Sequence, residues 1–268
     1  MIWDKVYLGK ERNEIMEQSE QQLMKRFKEL AEQSDRNCQY LFTNFLSLAE
    51  QDLLYRATKE YPADNISTSG GMEGAERIMA RFGSPEEFGY EMDFPIVCLR
   101  ISPVMKKFAE DLTHRDYLGA LMHLGIKREL LGDIVIHDKT AYLFCEEHIS
   151  NYIVENLTKI RHTNVRSEKT LELPAEVRPH LVEQECIVSA ERADAIVAKI
   201  YHLSRSQSLD LFRAQKIFVG GRLFENNSGC FPAGSIVSVR GYGRFRYDGA
   251  LQETKKGRLK IKAALYDT

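Results

Sequence analysis

The chain has 268 residues, 43% hydrophobic and 28% charged, and at roughly 150 residues per domain it suits about two domains. With a mean hydropathy of −0.37, it is neither a fibrous repeat, a collagen nor a wholly disordered chain, and no stretch approaches the ~20 apolar residues of a membrane helix. The net charge of −2 hides a division: residues 187–268 carry 14 lysines and arginines against 7 acids, net +7, while residues 1–186 carry 23 against 32, net −9, so a local polyanion site is expected on the basic third.

In chain order, residues 11–60 read as helical. Glu11 to Gln33 is rich in good helix formers, with Met16, Leu23, Met24, Phe27, Leu30 and Ala31 at roughly helical spacing. Ser47-Leu-Ala-Glu50 is a capping box, and the helix it opens should stop near Tyr61-Pro62. A third short helix is expected from Glu73 to Phe82, between Gly70-Gly71 and Gly83. Phe94 to Ile101 is a nearly continuous apolar run, as a central strand would be, broken by Pro103. Thr113-His-Arg-Asp116 can cap a helix carrying Tyr117, Leu118, Leu121 and Met122 and closed by Gly125. Ile134 to Ile136 and Thr140 to Phe144 flank Asp138-Lys139 as a hairpin. Ile149, Tyr152, Ile153 and Leu157 form a further helical stripe, and Thr163 to Glu172 a last strand. The order β-α-β-β-α-β is the ferredoxin-like pattern, shared by RNA-recognition modules and by many unrelated enzymes. Pro174, Pro179 and several glutamates mark a linker.

The basic third is a compact unit of its own. Ser189 is the expected N-cap of a helix whose Ala193, Ile196, Val197 and Ile200 share one face, with Arg192 and Lys199 on another. Ser204 caps a second helix, with Leu209 and Phe212 packing inward. Lys216 to Val219 reads as a strand, Gly220-Gly221 as a two-residue turn needing positive φ, Arg222 to Phe224 as the return, and Gly234 to Val239 as an alternating strand ending at Arg240-Gly241. Arg205 lies in a helical first turn between Ser204 and Ser206, where amides, hydroxyls and a guanidinium can meet one phosphate. Ser189, Arg192, Lys199, Arg213, Lys216, Arg240 and Arg244 widen the candidate RNA-binding patch. Arg258-Leu-Lys-Ile-Lys262 alternates, so one strand face would be all cationic, with Arg246, Lys255 and Lys256 nearby; the plainer reading is a charged edge strand that resists aggregation. Arg115, Lys127, Arg128, Lys255, Lys256 and Arg258 are candidate secondary RNA contacts.

Other signals are weaker. His114 beside Asp116 suggests acid–base chemistry, but helix capping explains it better. Cys145-Glu-Glu-His148 has metal-like spacing without a second pair. The cysteines Cys38, Cys98, Cys145, Cys186 and Cys230 are odd in number, scattered and without a C-x-x-C, so they read as free thiols rather than a disulfide framework. The start, Met1-Ile-Trp-Asp-Lys5, runs at once into charge, unlike a signal peptide, and a cytoplasmic protein is expected. No catalytic residue, metal or cofactor is indicated.

Residues 189–241 closely resemble an S4 RNA-binding domain, through Arg192 and Asp194, Ser204-Arg205-Ser206, Lys216 to Gly221, and Ile236 to Gly241. The family's usual Arg-Leu-Asp reads Arg192-Ala193-Asp194 here, which loses a core contact and keeps the polar surface. Gly74-Ala-Glu-Arg77, Asp93-Phe-Pro-Ile96, His114 to Leu121, Leu124-Gly-Ile126, Gly132-Asp-Ile134, Arg240-Gly-Tyr-Gly-Arg244 and Thr254-Lys-Lys-Gly-Arg258 resemble the YlmH-type family, bacterial S4-domain proteins often encoded near cell-division genes. The expected organisation is α+β: an N-terminal helical domain (1–84), a ferredoxin-like, RRM-like domain (85–173), a linker (174–186) and an S4 domain with a basic extension (187–268).

The resemblance implies a non-catalytic factor that binds structured ribosomal RNA and tRNA, on a large (50S) ribosomal subunit still carrying peptidyl-tRNA, in rescue or quality control of stalled translation. A cytoplasmic, ribosome-associated monomer is expected. The alternatives are an RNA-modifying enzyme and a cell-division adaptor. Against the enzyme, no Gly-rich cofactor loop follows a strand, and Gly221-Arg-Leu-Phe224 lacks the Asp that a pseudouridine synthase places after Gly-Arg-Leu. In the adaptor reading the acidic helical domain holds a protein partner and the S4 domain is a tether.

Overall fold

The computed structural model describes residues 2–62, 65–171, 173–174, 177, 181–254 and 257–266, with side chains from residue 17 onward. It is a mixed α and β protein with antiparallel sheets, in two compact units, Met1–Glu172 and Leu173–Thr268.

The first unit opens with the long helix α1 (Ile2–Asn37), whose Phe27, Leu30 and Ala31 are buried. After β1 (Leu41–Phe42) comes α2 (Leu48–Ala57), and its Leu53, Leu54 and Ala57 join the same apolar cluster. The expected capping box is present, with the Ser47 amide donating to the Glu50 carboxylate at 2.6 Å. The helix ends at Ala57 rather than near Tyr61, because the Thr58 hydroxyl folds back onto the Leu54 carbonyl at 2.8 Å.

The expected helix over 73–82 does not form. Instead β2 (Ile66–Ser69) and β3 (Met79–Phe82) pair, giving a three-stranded sheet in the order β1-β3-β2, so this section is not purely helical. Two causes are visible. Gly71 and Gly74 take φ of +86° and +71°, which turns the chain. The amides of Glu76 and Arg77 then donate to the Asp133 carboxylate, at 2.6 and 3.1 Å, rather than to helical carbonyls. Gly83 ends a strand here, not a helix.

After the single turn α3 (Pro85–Phe88) come β4 (Ile96–Pro103), α4 (His114–His123), β5 (Leu131–His137), β6 (Thr140–Glu146), α5 (Glu147–Asn156), β7 (Lys159–Ile160) and β8 (Thr163–Thr170). Their antiparallel sheet has the order β5-β6-β4-β8-β7, so the expected β-α-β-β-α-β succession is present. Pro103 is the last residue of β4, opposite Val165. Thr113 and Asp116 cap α4, with the Thr113 amide 2.8 Å from the Asp116 carboxylate, and Gly125 closes it at φ +80°. Asp138 and Lys139, both at positive φ, form the hairpin turn. Helices α4 and α5 cover one face of the sheet, burying Tyr117, Leu121 and Ile153 against Leu99, Ile101 and Leu143. On the other face Tyr142 and Phe144 are only 6% and 2% exposed. Phe45 and Gly71 come close to that face: a Cβ on Gly71 would stand 2.5 Å from the Phe144 ring, and one on Gly132 2.7 Å from Phe45.

The second unit begins with a correction. Residues 181–186, read as the end of a linker, belong to β9 (Leu181–Val188), an edge strand paired along its whole length with the last strand of the chain. Helix α6 (Ala193–Ile200) starts later than Ser189 suggested, because its first amides are taken by a distant loop: Ala193 donates to the Gly229 carbonyl at 2.8 Å and Asp194 to Asn227 at 3.0 Å. Helix α7 (Arg205–Arg213) opens at Ser204 as expected, with a reciprocal box to Gln207 at 2.8 and 3.2 Å. Leu211, not Leu209, is buried beside Phe212. Then follow β10 (Ile217–Val219), β11 (Arg222–Leu223), β12 (Ser235–Val239), β13 (Gly243–Glu253) and β14 (Leu259–Tyr266), in the sheet order β11-β10-β12-β13-β14-β9. Gly220 and Gly221 make the expected turn at φ +55° and +80°. Ile196, Val197 and Ile200 pack on Val237, Val239, Phe245, Ile261 and Ala263.

Replacing Asp133 with Ala leaves two amides without their acceptor and is expected to cost about 1–3 kcal/mol. Urea denaturation reads this directly; an unchanged midpoint would contradict the role given to Asp133.

Candidate nucleic-acid interface

The site of the second unit is built around a carboxylate. Asp194, in the first turn of α6, is 1% exposed. A buried carboxylate is costly unless paired and hydrogen-bonded. The Arg192 guanidinium grips it with two bonds, Nε to Oδ1 at 3.0 Å and Nη2 to Oδ2 at 2.9 Å. Arg205 Nε stands 3.6 Å from the same Oδ2, and the Ala195 amide donates to Oδ1 at 2.9 Å. The Ser208 hydroxyl donates to the Asp194 carbonyl at 2.8 Å, which locks α7 onto α6. Thus two arginines, one just before α6 and one opening α7, converge on one buried acid, while their side chains remain 36% and 71% exposed. The amides of Arg205 and Ser206 stand at the open end of α7, where no helical carbonyl can take them, and the positive end of the helix dipole lies there. Ser204 spends its hydroxyl on the cap; Ser206 is exposed.

The other predicted residues do not all join this cluster. Lys199 is exposed on α6 and lines an open groove with Ile187, Val188, Ala198 and His202. Ser189 borders the same groove and caps no helix. Arg213 lies eight residues along α7 from Arg205, roughly 12 Å away, and pairs with Asp210 at 2.9 Å. Lys216 and Arg240 are neighbours across β10 and β12, the Arg240 amide donating to the Lys216 carbonyl at 2.9 Å, and the Arg240 guanidinium covers the Phe218 ring at 5.7 Å. Because Val239 and Phe245 point at the helices, alternation puts Arg244 on the opposite face of the sheet, where it lies 4.8 Å over the Tyr266 ring. The ten residues therefore occupy two surfaces.

The all-cationic strand face is a further correction. Lys260 and Lys262 of β14 face Glu185 and Glu183 of β9 at 2.5 and 2.9 Å, and Arg246 is held by Asp248 at 2.6 Å. Arg258 is exposed at the start of β14; Lys255 and Lys256 lie outside the described residues.

In the first unit Arg115 is exposed on α4, and Lys127 is exposed 3.9 Å from Glu129. Arg128 is turned inward. It donates to the carbonyls of Leu131 and Gly132 at 2.7 and 3.1 Å, and burial together with the Arg77 charge beside it lowers its pKa to about 10. Arg77 reaches the carbonyls of Leu131 and Phe45 at 2.9 and 2.7 Å. Glu76-Arg77 and Gly132-Asp133, which belong to two separate sequence motifs, meet here through the Asp133 carboxylate. His114 has its pKa lowered, first by burial and then by Arg128, which favours the neutral imidazole. Tyr142 and Phe144 occupy a central strand, where RNA-recognition modules display stacking aromatics, but here both rings are buried. Among the described residues no group of three or more His, Cys, Asp or Glu side chains is placed to hold a metal ion, and no helix is long and apolar enough to cross a membrane.

Comparison with known proteins bears on this site. Residues 90–172 match the family described as the putative RNA-binding domain in YlmH. That match, together with the relative that follows, supports the YlmH-type recognition drawn from the motifs. Over 230 residues it is 29% identical to the ribosome-associated protein quality control protein P2 of Bacillus subtilis (strain 168), covering 82% of this chain and 84% of that one. It is also similar to the solved structure of the cell division protein ylmH from Streptococcus pneumoniae, with 24% identity, a TM-score of 0.46, and coverage of 57% of this chain and 91% of that one.

Asp194 gives a prediction of definite sign. Removing a negative charge should by itself help a polyanion bind. If Asp194 instead holds Arg192 and Arg205 in place, Asp194→Ala will weaken RNA binding, by about tenfold or more, the equivalent of ~1.4 kcal/mol. Fluorescence anisotropy with labelled RNA measures it, and tighter binding by the variant would contradict the positioning role.

Proposed function

We propose that this protein is a non-catalytic RNA-binding factor of ribosome-associated quality control, whose C-terminal unit is an S4-type module gripping phosphates of folded RNA. The observation that carries the proposal is the pair Arg192 and Arg205, anchored on one buried carboxylate beside the capped start of α7. Guanidinium forks and first-turn amides are the donors that suit a phosphate. Contacts of this kind give affinity and register rather than sequence information, so the RNA is chosen by shape.

The YlmH match over the first unit supports a second RNA contact there. Arg115 and Lys127 are exposed, whereas Arg128 is half-buried and donates to backbone carbonyls. The sheet order β5-β6-β4-β8 supports a ferredoxin-like reading of that domain, with its stacking face occupied from within. The name of the Bacillus subtilis relative supports a place on the ribosome and in the cytoplasm. With the family resemblance, this favours the large subunit carrying peptidyl-tRNA. There the protein would act as a monomer by positioning and exclusion, without a cofactor.

The test is co-sedimentation with 30S, 50S, 70S and 50S–peptidyl-tRNA particles at two salt concentrations. Preferential binding to tRNA-bearing 50S particles that falls steeply with salt is expected. Arg205→Ala should weaken it more than Arg115→Ala and lower the salt slope by about 1. Absence of ribosomal binding at low salt would overturn the proposal; equal losses from both variants would move the centre of the site toward the first unit.

A further inference from the structure

Beyond β12 the chain reverses through Arg240-Gly241-Tyr242-Gly243-Arg244. The Tyr242 amide donates to the Val239 carbonyl at 2.9 Å, closing a four-residue turn. Gly241, third in that turn, has φ +89°, which favours glycine there, and Gly243 at φ +121° swings the chain back into β13. Tyr242 is therefore fixed between two positions that resist other residues. The residue is 46% exposed.

The buried side of the Tyr242 ring rests on aromatic carbon. Tyr242 meets Tyr201 at a centroid distance of 5.6 Å, and Tyr201 meets Phe245 at 6.1 Å, edge to face. Phe245 is fully buried in the core of the unit. An aromatic column thus runs from the core to the surface and ends in a half-open face. Burial raises the pKa of the Tyr201 phenol above its ordinary value, so that ring adds no negative charge. Arg240 and Arg244 stand two residues before and two after Tyr242 in the chain; Arg240 is exposed, and Arg244 is near enough to act on Tyr201. The turn holds no other apolar side chain, so it does not make the continuous apolar patch that a protein partner would need. Tyr201 is four residues from Arg205, which places their Cα atoms at most about 14 Å apart, a reach of a few nucleotides.

We infer that Tyr242 is a stacking platform for an unpaired nucleobase of the RNA whose backbone the Arg192–Arg205 site holds. This inference rests on the RNA-binding function proposed above. A stacking ring accepts any base, but only one not already paired and stacked within a duplex. The platform therefore adds what phosphate contacts lack, a preference for looped or single-stranded RNA next to the gripped backbone.

The experiment compares an RNA hairpin with an unpaired loop against a fully paired duplex of the same stem sequence, by fluorescence anisotropy. Wild type, Tyr242→Ala, Tyr242→Phe and Arg205→Ala are titrated, and thermal melts check that each is folded. Tyr242→Ala is expected to weaken hairpin binding about 5- to 100-fold and to leave duplex binding unchanged. Tyr242→Phe should keep near wild-type affinity, and Arg205→Ala should weaken both RNAs. A Tyr242→Trp variant in a Trp3→Phe background, whose sole tryptophan is then at the platform, should be quenched by the hairpin and not by the duplex. Unaltered hairpin affinity of Tyr242→Ala, or an equal loss on both RNAs, would overturn the platform while leaving the arginine site standing. Failure of the wild type to bind either RNA would overturn the RNA-binding function and the platform with it.

Discussion

A carboxylate taken almost wholly out of water has to be held by cations, and in this protein the cations that hold Asp194 also face the solvent. Arg192 spends two of its five donors on the acid, and Arg205 approaches it with one edge. Each keeps donors for an external anion. Long cationic side chains lose conformational entropy when they bind, and tethering part of that freedom in the folded state reduces the loss. The same acid ties the site to the fold through its backbone: its amide goes to Asn227 and its carbonyl takes the Ser208 hydroxyl. Site geometry and helix packing are therefore set by one residue.

The first unit uses an acid in a different way. Asp133 accepts from two consecutive amides and lies beside two arginines, Arg77 and Arg128, whose charges oppose each other. Arg77 and Arg128 in turn spend their donors on backbone carbonyls from residues 45, 131 and 132. This joint turns its guanidinium donors to backbone carbonyls, and it holds the 70–78 turn and Phe45 near the Tyr142 and Phe144 face of the larger sheet of that unit. Two arginine-and-aspartate clusters in one chain thus have opposite consequences. Exposure separates them: Arg205 reaches out, while Arg128 is withdrawn.

Features whose partners lie a few residues apart were legible in the sequence. The boxes Ser47–Glu50 and Thr113–Asp116, the Ser204 cap, and the Asp138-Lys139 and Gly220-Gly221 turns are of this kind, because local chemistry decides them. Features decided at long range were not. Residues 73–78 have helix-forming composition, but the amides of Glu76 and Arg77 are taken by an aspartate 57 and 56 residues away. Ser189 looked like a cap, yet carbonyls of residues 227 and 229 start the helix. The glutamates of β9 read as linker composition until Lys260 and Lys262 are placed opposite them. At the candidate site the arginines were legible by type and by motif. Their common anchor was not, since a sequence does not show that Asp194 is buried, and alternation along β12 and β13 moved Arg244 to another surface.

The central claim is that Asp194, Arg192 and Arg205 act as one unit in holding RNA. A double-mutant cycle on RNA affinity tests it most directly, combining Asp194→Ala with Arg192→Ala and Arg205→Ala. If Asp194 works through the arginines, its removal costs affinity in the wild-type background. In the double-arginine variant the same removal costs nothing, or improves binding slightly by deleting a negative charge. Equal losses from Asp194→Ala in both backgrounds would show that the residues act independently and would contradict the account.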